Sequence, residues 1–88
     1  MQSKRRMNMK KALQEIFPVE LKQYRIKKGL SQETMARLLM VAARSYIDLE
    51  HGVTFPSALT LANFLLLLSE EEQEDLLRRL RSSIEREA

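Results

Sequence analysis

Apolar residues along the chain recur at three- and four-residue spacing, and no segment alternates between apolar and polar residues as a half-buried strand does. Leu76, Leu80 and Ile84, for example, fall on one face of a helix. The pattern predicts an all-α fold with five helices, at about residues 19–28, 31–39, 43–50, 58–68 and from 69 onward.

Residues that start or stop helices stand at the ends of these segments. Gly29 occupies the position of a C-terminal glycine, and Ser31 is a suitable N-cap for the helix that follows. Ser69 and Glu72 have the spacing of a capping box, which predicts the start of the last helix. Pro18 is expected to end the N-terminal segment or to open the next helix, because proline is tolerated in a first helical turn better than in a helix interior.

The chain has 88 residues, which is enough for one domain, and the predicted elements divide it into three segments. Residues 1–17 form a basic N-terminal arm or a short helix, residues 18–68 the main helical unit, and residues 69–88 a C-terminal amphipathic helix. The predicted helix 58–68 is apolar on nearly every side, so it is either buried all round or offers one side to a partner. The C-terminal helix either packs on the rest of the domain or forms a dimer.

The net charge of +3 is unevenly distributed along the chain. Residues 1–30 carry a net charge of +7, residues 31–54 a net charge of −1, and residues 55–88 a net charge of −3. A basic front and an acidic rear suit an anionic partner that is met on one side. A solvated basic tail explains the same charge distribution equally well.

Composition excludes several classes of protein. The chain has no cysteine, which rules out a disulfide framework and a thiolate metal site and fits a reducing cytoplasm. No apolar run approaches the roughly 20 residues that span a membrane. We therefore expect a soluble, cytoplasmic protein with no membrane partner. A glycine-rich phosphate loop, a nucleophile–base pair and a metal-ligand cluster are all lacking, and His51 is a lone histidine, so no enzyme activity, metal or cofactor is expected.

One stretch in the middle of the chain combines many residue types at fixed spacing. It reads Leu21-x-x-x-Arg25-x-x-x-Gly29-Leu30-Ser31-Gln32-Glu33-x-x-Ala36-x-x-Leu39-x-Val41, followed by Leu49-Glu50-x-Gly52 and Pro56. This stretch resembles the lambda-repressor-like, Xre/Cro-type helix-turn-helix family of transcription regulators. The resemblance implies a five-helix DNA-binding fold whose second and third helices form the helix-turn-helix. Residues 18–68, with the first four helices, would be the helix-turn-helix domain. It also implies double-stranded DNA as the partner and a homodimer as the active form.

The resemblance places the recognition helix, which enters the DNA groove, at residues 43–50. Its groove-facing positions would be Ala43, Arg44, Ser45 and Asp48, with Ala42 at the entry. Arg44 is the side chain expected to read a base, because a guanidinium can donate two hydrogen bonds to guanine O6 and N7. Ser45 can reach a base or a phosphate, and Asp48 either accepts from a cytosine amino group or holds Arg44 in place.

Further positions are expected at the DNA backbone. Gln32 matches the family position that grips a phosphate at a helix N-terminus, although an ordinary helix-start glutamine explains it nearly as well. Thr54 follows the third helix, where phosphate contacts are common in the family. Lys4, Arg5 and Arg6 can follow the backbone or the minor groove as an arm that is disordered without DNA.

Two family positions are expected to be structural, and two others depart from the family pattern. Arg25 and Glu50 stand where the family has a partly buried ion pair between the first and third helices. Met40 stands in a turn position usually held by glycine, so it either adopts another turn or strains a left-handed backbone at about 1 kcal/mol. Ala42 replaces the usual serine or threonine cap, which costs about 1 kcal/mol. Both departures point to weaker affinity or to reading of DNA shape.

Two functions remain open on the sequence. One is a sequence-specific repressor or activator that binds DNA as a dimer, with its two recognition helices about 34 Å apart. The other is an antitoxin-like or accessory module that keeps the fold and mainly binds a protein, which the acidic rear and the two departures favour. A steep loss of binding with salt would indicate the first function.

Overall fold

A computed structural model describes residues 2–87 of the chain, with side chains for residues 9–85. The described residues form five helices and no strand. The helices are α1 (Gln2–Lys27), α2 (Gln32–Leu39), α3 (Ala43–Glu50), α4 (Ala58–Leu67) and α5 (Glu70–Glu87). The prediction of an all-α, five-helix fold is therefore confirmed.

The predicted helix boundary at Pro18 is wrong, because α1 continues through that residue. Proline removes the hydrogen bond to the carbonyl of Gln14 at a cost of roughly 3 kcal/mol. Ala12 and Phe17 on one side and Leu21 on the other are all buried, so both halves of the helix are held against the same body. Burying such side chains contributes roughly 1.5–3 kcal/mol each, which offsets the lost hydrogen bond. The segment expected to be an arm or a short helix is therefore the first half of a 26-residue helix.

Three of the helices end in the same motif, in which one residue takes a left-handed backbone conformation. That residue is Gly29 after α1 (φ +68°), Gly52 after α3 (φ +74°) and Met40 after α2 (φ +61°). In each case the N–H of the next residue donates to a carbonyl five residues back, as Val41 does to Ala36 at 3.0 Å. Met40 therefore keeps the turn that favours glycine and does not adopt another one.

The predicted helix starts at Ser31 and Ser69 are confirmed. Ser31 Oγ accepts a hydrogen bond from the Thr34 N–H at 3.0 Å. Ser69 and Glu72 cap each other, since the Glu72 N–H donates to Ser69 Oγ at 3.1 Å and the Ser69 N–H donates to Glu72 Oε1 at 2.9 Å. These caps fix the first turns of α2 and α5.

The core lies where α1, α4 and α5 meet the pair formed by α2 and α3. Phe64 of α4 is fully buried, and the rings of Phe17 and Tyr24 on α1 meet it edge-on at centroid distances of 5.4 and 5.8 Å. The largest fully buried side chains come from all five helices: Phe17, Leu21, Met35, Leu39, Tyr46, Phe64 and Leu76. A single core therefore sets the orientation of every helix, α3 included.

The apolar helix α4 is not buried all round. Phe64 faces the core, whereas Leu59 and Leu66 are 70% and 79% exposed. The other helix of open role, α5, packs on α1 through Leu76 and through Arg79, which donates to Glu20 at 2.8 Å. Of the two alternatives for α4, the structure has the second, in which one side of the helix is buried by the rest of the chain and the other side is exposed. Among residues 2–87 no helix combines the length and the apolar character that crossing a membrane requires.

Candidate nucleic-acid interface

The helices α2 and α3 are joined by three residues only, 40–42, and pack against each other. Ala36 is buried, and its small side chain lets α2 approach its neighbours closely. Asn63 of α4 donates a hydrogen bond to the carbonyl of Leu39 at 3.3 Å, which satisfies one of the free carbonyls at the end of α2. The turn is therefore fixed by α4 as well as by the two helices that it joins.

One carboxylate at the end of α3 binds side chains from three helices. Arg25 of α1 donates to Glu50 through Nε at 2.8 Å and through Nη2 at 2.9 Å, which is a bidentate pair. Gln32 at the start of α2 donates to Glu50 Oε1 at 3.2 Å, and the Tyr46 hydroxyl, one turn earlier on α3, donates to Oε2. Arg25 also donates to the Leu30 carbonyl at 3.2 Å. We call this set, Arg25, Gln32, Tyr46 and Glu50, the Glu50 cluster.

The Glu50 cluster shifts the ionisation of its members. The Glu50 side chain is only 3% exposed, and burial by itself raises the pKa of a carboxyl group. The hydrogen bonds from Arg25, Tyr46 and Gln32 outweigh burial and lower the pKa of Glu50 from 4.5 to about 2. The hydrogen bond to Glu50 raises the pKa of Arg25, while burial and then the bond to Glu50 raise the pKa of Tyr46. Glu50 is thus ionised and Tyr46 is protonated near neutral pH.

The two sides of α3 differ in their exposure to solvent. Tyr46, Leu49 and Glu50 are buried on the inward side. Ala43, Arg44 and Ser45 are exposed, and Asp48 is partly exposed. The Arg44 side chain is 86% exposed, so the guanidinium stands clear of the body of the domain. The positions expected to face a groove therefore share the outward side of one helix.

Arg44 and Asp48 face each other across one turn of α3. Arg44 Nε lies 3.8 Å from Asp48 Oδ1, at the outer limit of an ion pair. Exposed pairs at this spacing contribute only about 0.3–0.5 kcal/mol, so the contact guides the guanidinium without locking it. Of the two roles expected for Asp48, the contact with Arg44 is the one present in the structure.

The expected phosphate ligands lie at the two ends of the helix-turn-helix. Gln32 is half-buried and uses one amide hydrogen for Glu50, which leaves the second N–H of the same group available to a ligand. Thr54 is exposed in the loop between α3 and α4. Ala42 is exposed at the start of α3 and caps that helix with no side-chain hydrogen bond, because it has no polar atom to do so.

The three basic residues at the start of the chain, Lys4, Arg5 and Arg6, have side chains that lie outside the described residues. Their backbone belongs to α1. The expectation of arm contacts with DNA thus concerns a helical segment.

Besides the bond from Gln32 to Glu50, two contacts near the interface were not predicted from the sequence. The first is the bond from Tyr46 to Glu50. These residues are four apart on one helix, so their spacing was a signal from which the contact could have been predicted. The second contact places the ammonium group of Lys10 over the ring of Phe55, 5.7 Å from its centroid. Lys10 and Phe55 are far apart in the chain, and no sequence spacing indicates that they meet.

Among the side chains that the structure describes, no group of three or more histidine, cysteine, aspartate or glutamate residues is arranged to hold a metal ion.

Comparison with known proteins identifies the family. The model of a family described as "Helix-turn-helix domain" matches residues 20–80, which is well over half of the chain and contains α2, the turn and α3. No curated protein and no solved structure matches the chain. The chain therefore belongs to this helix-turn-helix family, in agreement with its resemblance to lambda-repressor-like, Xre/Cro-type sequences, and the membership indicates a DNA-binding regulator.

Proposed function

We propose that the protein is a sequence-specific, double-stranded DNA-binding repressor that inserts α3 into the major groove. The observation that carries the proposal is the division of α3 into an inward side anchored by Glu50 and an outward side led by Arg44. A major groove about 12 Å wide admits one such helix. The domain holds α3 at its surface without help from the outward residues, which leaves them available for contact with bases.

Each outward residue has a role that follows from its chemistry. Arg44 donates two hydrogen bonds to guanine, and Asp48 orients Arg44 or accepts from a cytosine amino group. Ser45 contacts a base or a phosphate. The small residues Ala42 and Ala43 let the start of α3 approach the base edges closely. Gln32 and Thr54 hold phosphates on either side and so fix the depth and angle of α3.

We further propose that the repressor acts as a homodimer in the cytoplasm. Two copies related by a two-fold axis present their α3 helices about 34 Å apart, in successive major grooves. Leu59 and Leu66 on α4 are the large apolar side chains that a second copy would cover. Sedimentation of the full chain, with and without a two-half-site duplex, measures the dimer directly.

Selection from a random duplex pool at stated salt, followed by comparison of variants, tests the proposal. Arg44→Ala is expected to lose about 1–3 kcal/mol of preference for the selected site, with non-specific affinity nearly unchanged. Arg81→Ala removes the same charge from an exposed position on α5 and serves as the matched control. An equal loss by Arg44→Ala on every sequence would mean that Arg44 touches the backbone only, and would contradict base reading.

The exposed leucines of α4 favour a second candidate function, an antitoxin-like or accessory module that mainly binds a protein. An apolar interface of this kind keeps its strength as salt rises. DNA binding through several phosphates loses orders of magnitude in affinity between about 50 and 200 mM salt. Binding to the selected duplex that falls steeply across this range supports the repressor, whereas a selection that yields no preferred duplex supports the protein-binding module.

A further inference from the structure

A second part of the molecule lies beside the end of α3 and carries positive charge. Residues 1–19 contain five lysine or arginine residues and one acidic residue, for a net charge of +4. This segment lies before the family match, which begins at residue 20. The first half of α1 is thus a basic helical extension of this chain in addition to the shared domain.

Two contacts fix the path of this extension relative to the loop after α3. Gly52 lies so close to Pro18 that a β-carbon on the glycine would sit 3.5 Å from Pro18 Cγ. Eight residues earlier on α1, about 12 Å along the axis at 1.5 Å per residue, the ammonium of Lys10 lies over the ring of Phe55. The loop that leaves α3 therefore runs beside α1 towards the N-terminus of α1, with the exposed Thr54 between the two contacts.

The contact with Phe55 positions the ammonium group of Lys10 and leaves its positive charge able to attract a second, anionic group. A ring face attracts an ammonium group from one side, while the group keeps N–H donors for a second partner. Lys10 is exposed, so those donors are accessible. A cation held in place loses less side-chain entropy when it binds than a freely rotating lysine does.

We propose that Lys10, held by Phe55, forms with Thr54 a phosphate-binding site that extends the DNA contact beyond the helix-turn-helix along the first half of α1. The inference rests on the proposed function, because the occupant is the phosphate backbone of the duplex that α3 enters. Phe55 is a positioning residue and Lys10 is the phosphate contact.

The salt dependence of binding of the 88-residue chain to a random-sequence duplex of 30 base pairs tests this site. Each phosphate contact contributes about 0.9 to the slope of log affinity against log salt. Lys10→Ala should make this negative slope shallower by about 0.9 per bound protomer. Between 50 and 200 mM salt, the wild type should therefore lose about 3.5-fold more affinity than the variant. Lys10→Arg should retain the wild-type slope.

Lys28 supplies a matched control within the same protein. Its ammonium lies over the ring of Tyr24, 5.5 Å from the centroid, so residue type, aromatic contact and charge change are the same as for Lys10. Lys28, however, lies near the acidic start of α5, beside Glu71 and Glu72. Lys28→Ala should leave the slope unchanged. An equal slope for Lys10→Ala and wild type, or an equal loss by Lys28→Ala, would overturn the proposed site.

A double-mutant cycle isolates the role of Phe55. Phe55→Leu should weaken binding in the wild type and have no further effect in Lys10→Ala, because its contribution passes through the lysine. Independent effects of the two substitutions would refute the positioning role. Urea unfolding of each variant verifies that the fold is intact. The site and the proposed function fail separately, since loss of sequence preference in Arg44→Ala is measured on the selected duplex and does not involve Lys10.

Discussion

Replacing Met40 by glycine is expected to stabilise the domain, although it removes a large side chain. Met40 has a left-handed backbone at φ +61°, while the equivalent residues after α1 and α3 are glycines. A left-handed conformation costs an L-residue roughly 1–2 kcal/mol, which glycine avoids. Glycine also gives the unfolded chain more conformational freedom, which reduces the gain in stability by about 0.4–1 kcal/mol. The Met40 side chain is 76% exposed, so little apolar burial is lost.

The net gain for Met40→Gly therefore lies between about 0 and 1.6 kcal/mol, and its central value of about 0.8 kcal/mol is equivalent to about 3–6 °C in Tm for a domain of this size. Urea unfolding followed by circular dichroism at a fixed protein concentration measures it. The midpoint should rise with no change in the m-value, because the surface exposed on unfolding is nearly the same.

Two further substitutions separate the backbone effect from the loss of the methionine side chain. Met40→Ala removes the thioether but keeps the β-carbon, so it should give none of the gain. Gly29→Ala should destabilise by a similar amount, because a β-carbon at Gly29 meets no atom within 4 Å and the cost is purely conformational. A Met40→Gly variant that is no more stable than Met40→Ala would show that the left-handed backbone at residue 40 carries no such cost.

Two other predictions concern Glu50 and Ala42. Because the folded-state pKa of Glu50 is lowered from 4.5 to about 2, its stabilising contribution is present above pH 4.5 and is lost as pH falls towards 2. The shift in pKa corresponds to about 3 kcal/mol of stability. In Glu50→Gln, the urea midpoint should therefore fall less steeply than in the wild type as the pH is lowered over this range. A pH profile identical to that of the wild type would argue against the Glu50 cluster. Ala42→Ser should stabilise α3 by about 0.5–2 kcal/mol through an N-cap and should strengthen phosphate contact at its start. Guanidinium unfolding and affinity for the random duplex measure the two effects, and no change in either would contradict the cap.

Much of the fold could be predicted because its signals are local. Ser31, Ser69 and Glu72 act on backbone groups within one helical turn, and the sequence contains all that this requires. The prediction at Pro18 is wrong because the local rule counts a missing hydrogen bond and not the burial of Phe17 and Leu21 on either side of it. Whether a helix survives its proline is decided by tertiary packing.

In the candidate site, too, some features follow from the local sequence and others depend on tertiary packing. The exposure of Arg44 follows from helical periodicity once Tyr46 and Leu49 are assigned to the core. The bond from Gln32 to Glu50 joins the start of α2 to the end of α3 and depends on the angle between the two helices. That angle depends on packing among all five helices, so the sequence around Gln32 gives no sign of its bond to Glu50.

The Glu50 cluster separates what keeps α3 in place from what α3 presents to the outside. Its bonds come from the inward residues Tyr46 and Glu50 and from other helices, and none comes from Arg44 or Ser45. Single substitutions of Arg44 or Ser45 are therefore expected to have little effect on folding. Under the proposed function, substitutions on the outward side could therefore change the target sequence while the domain stays folded.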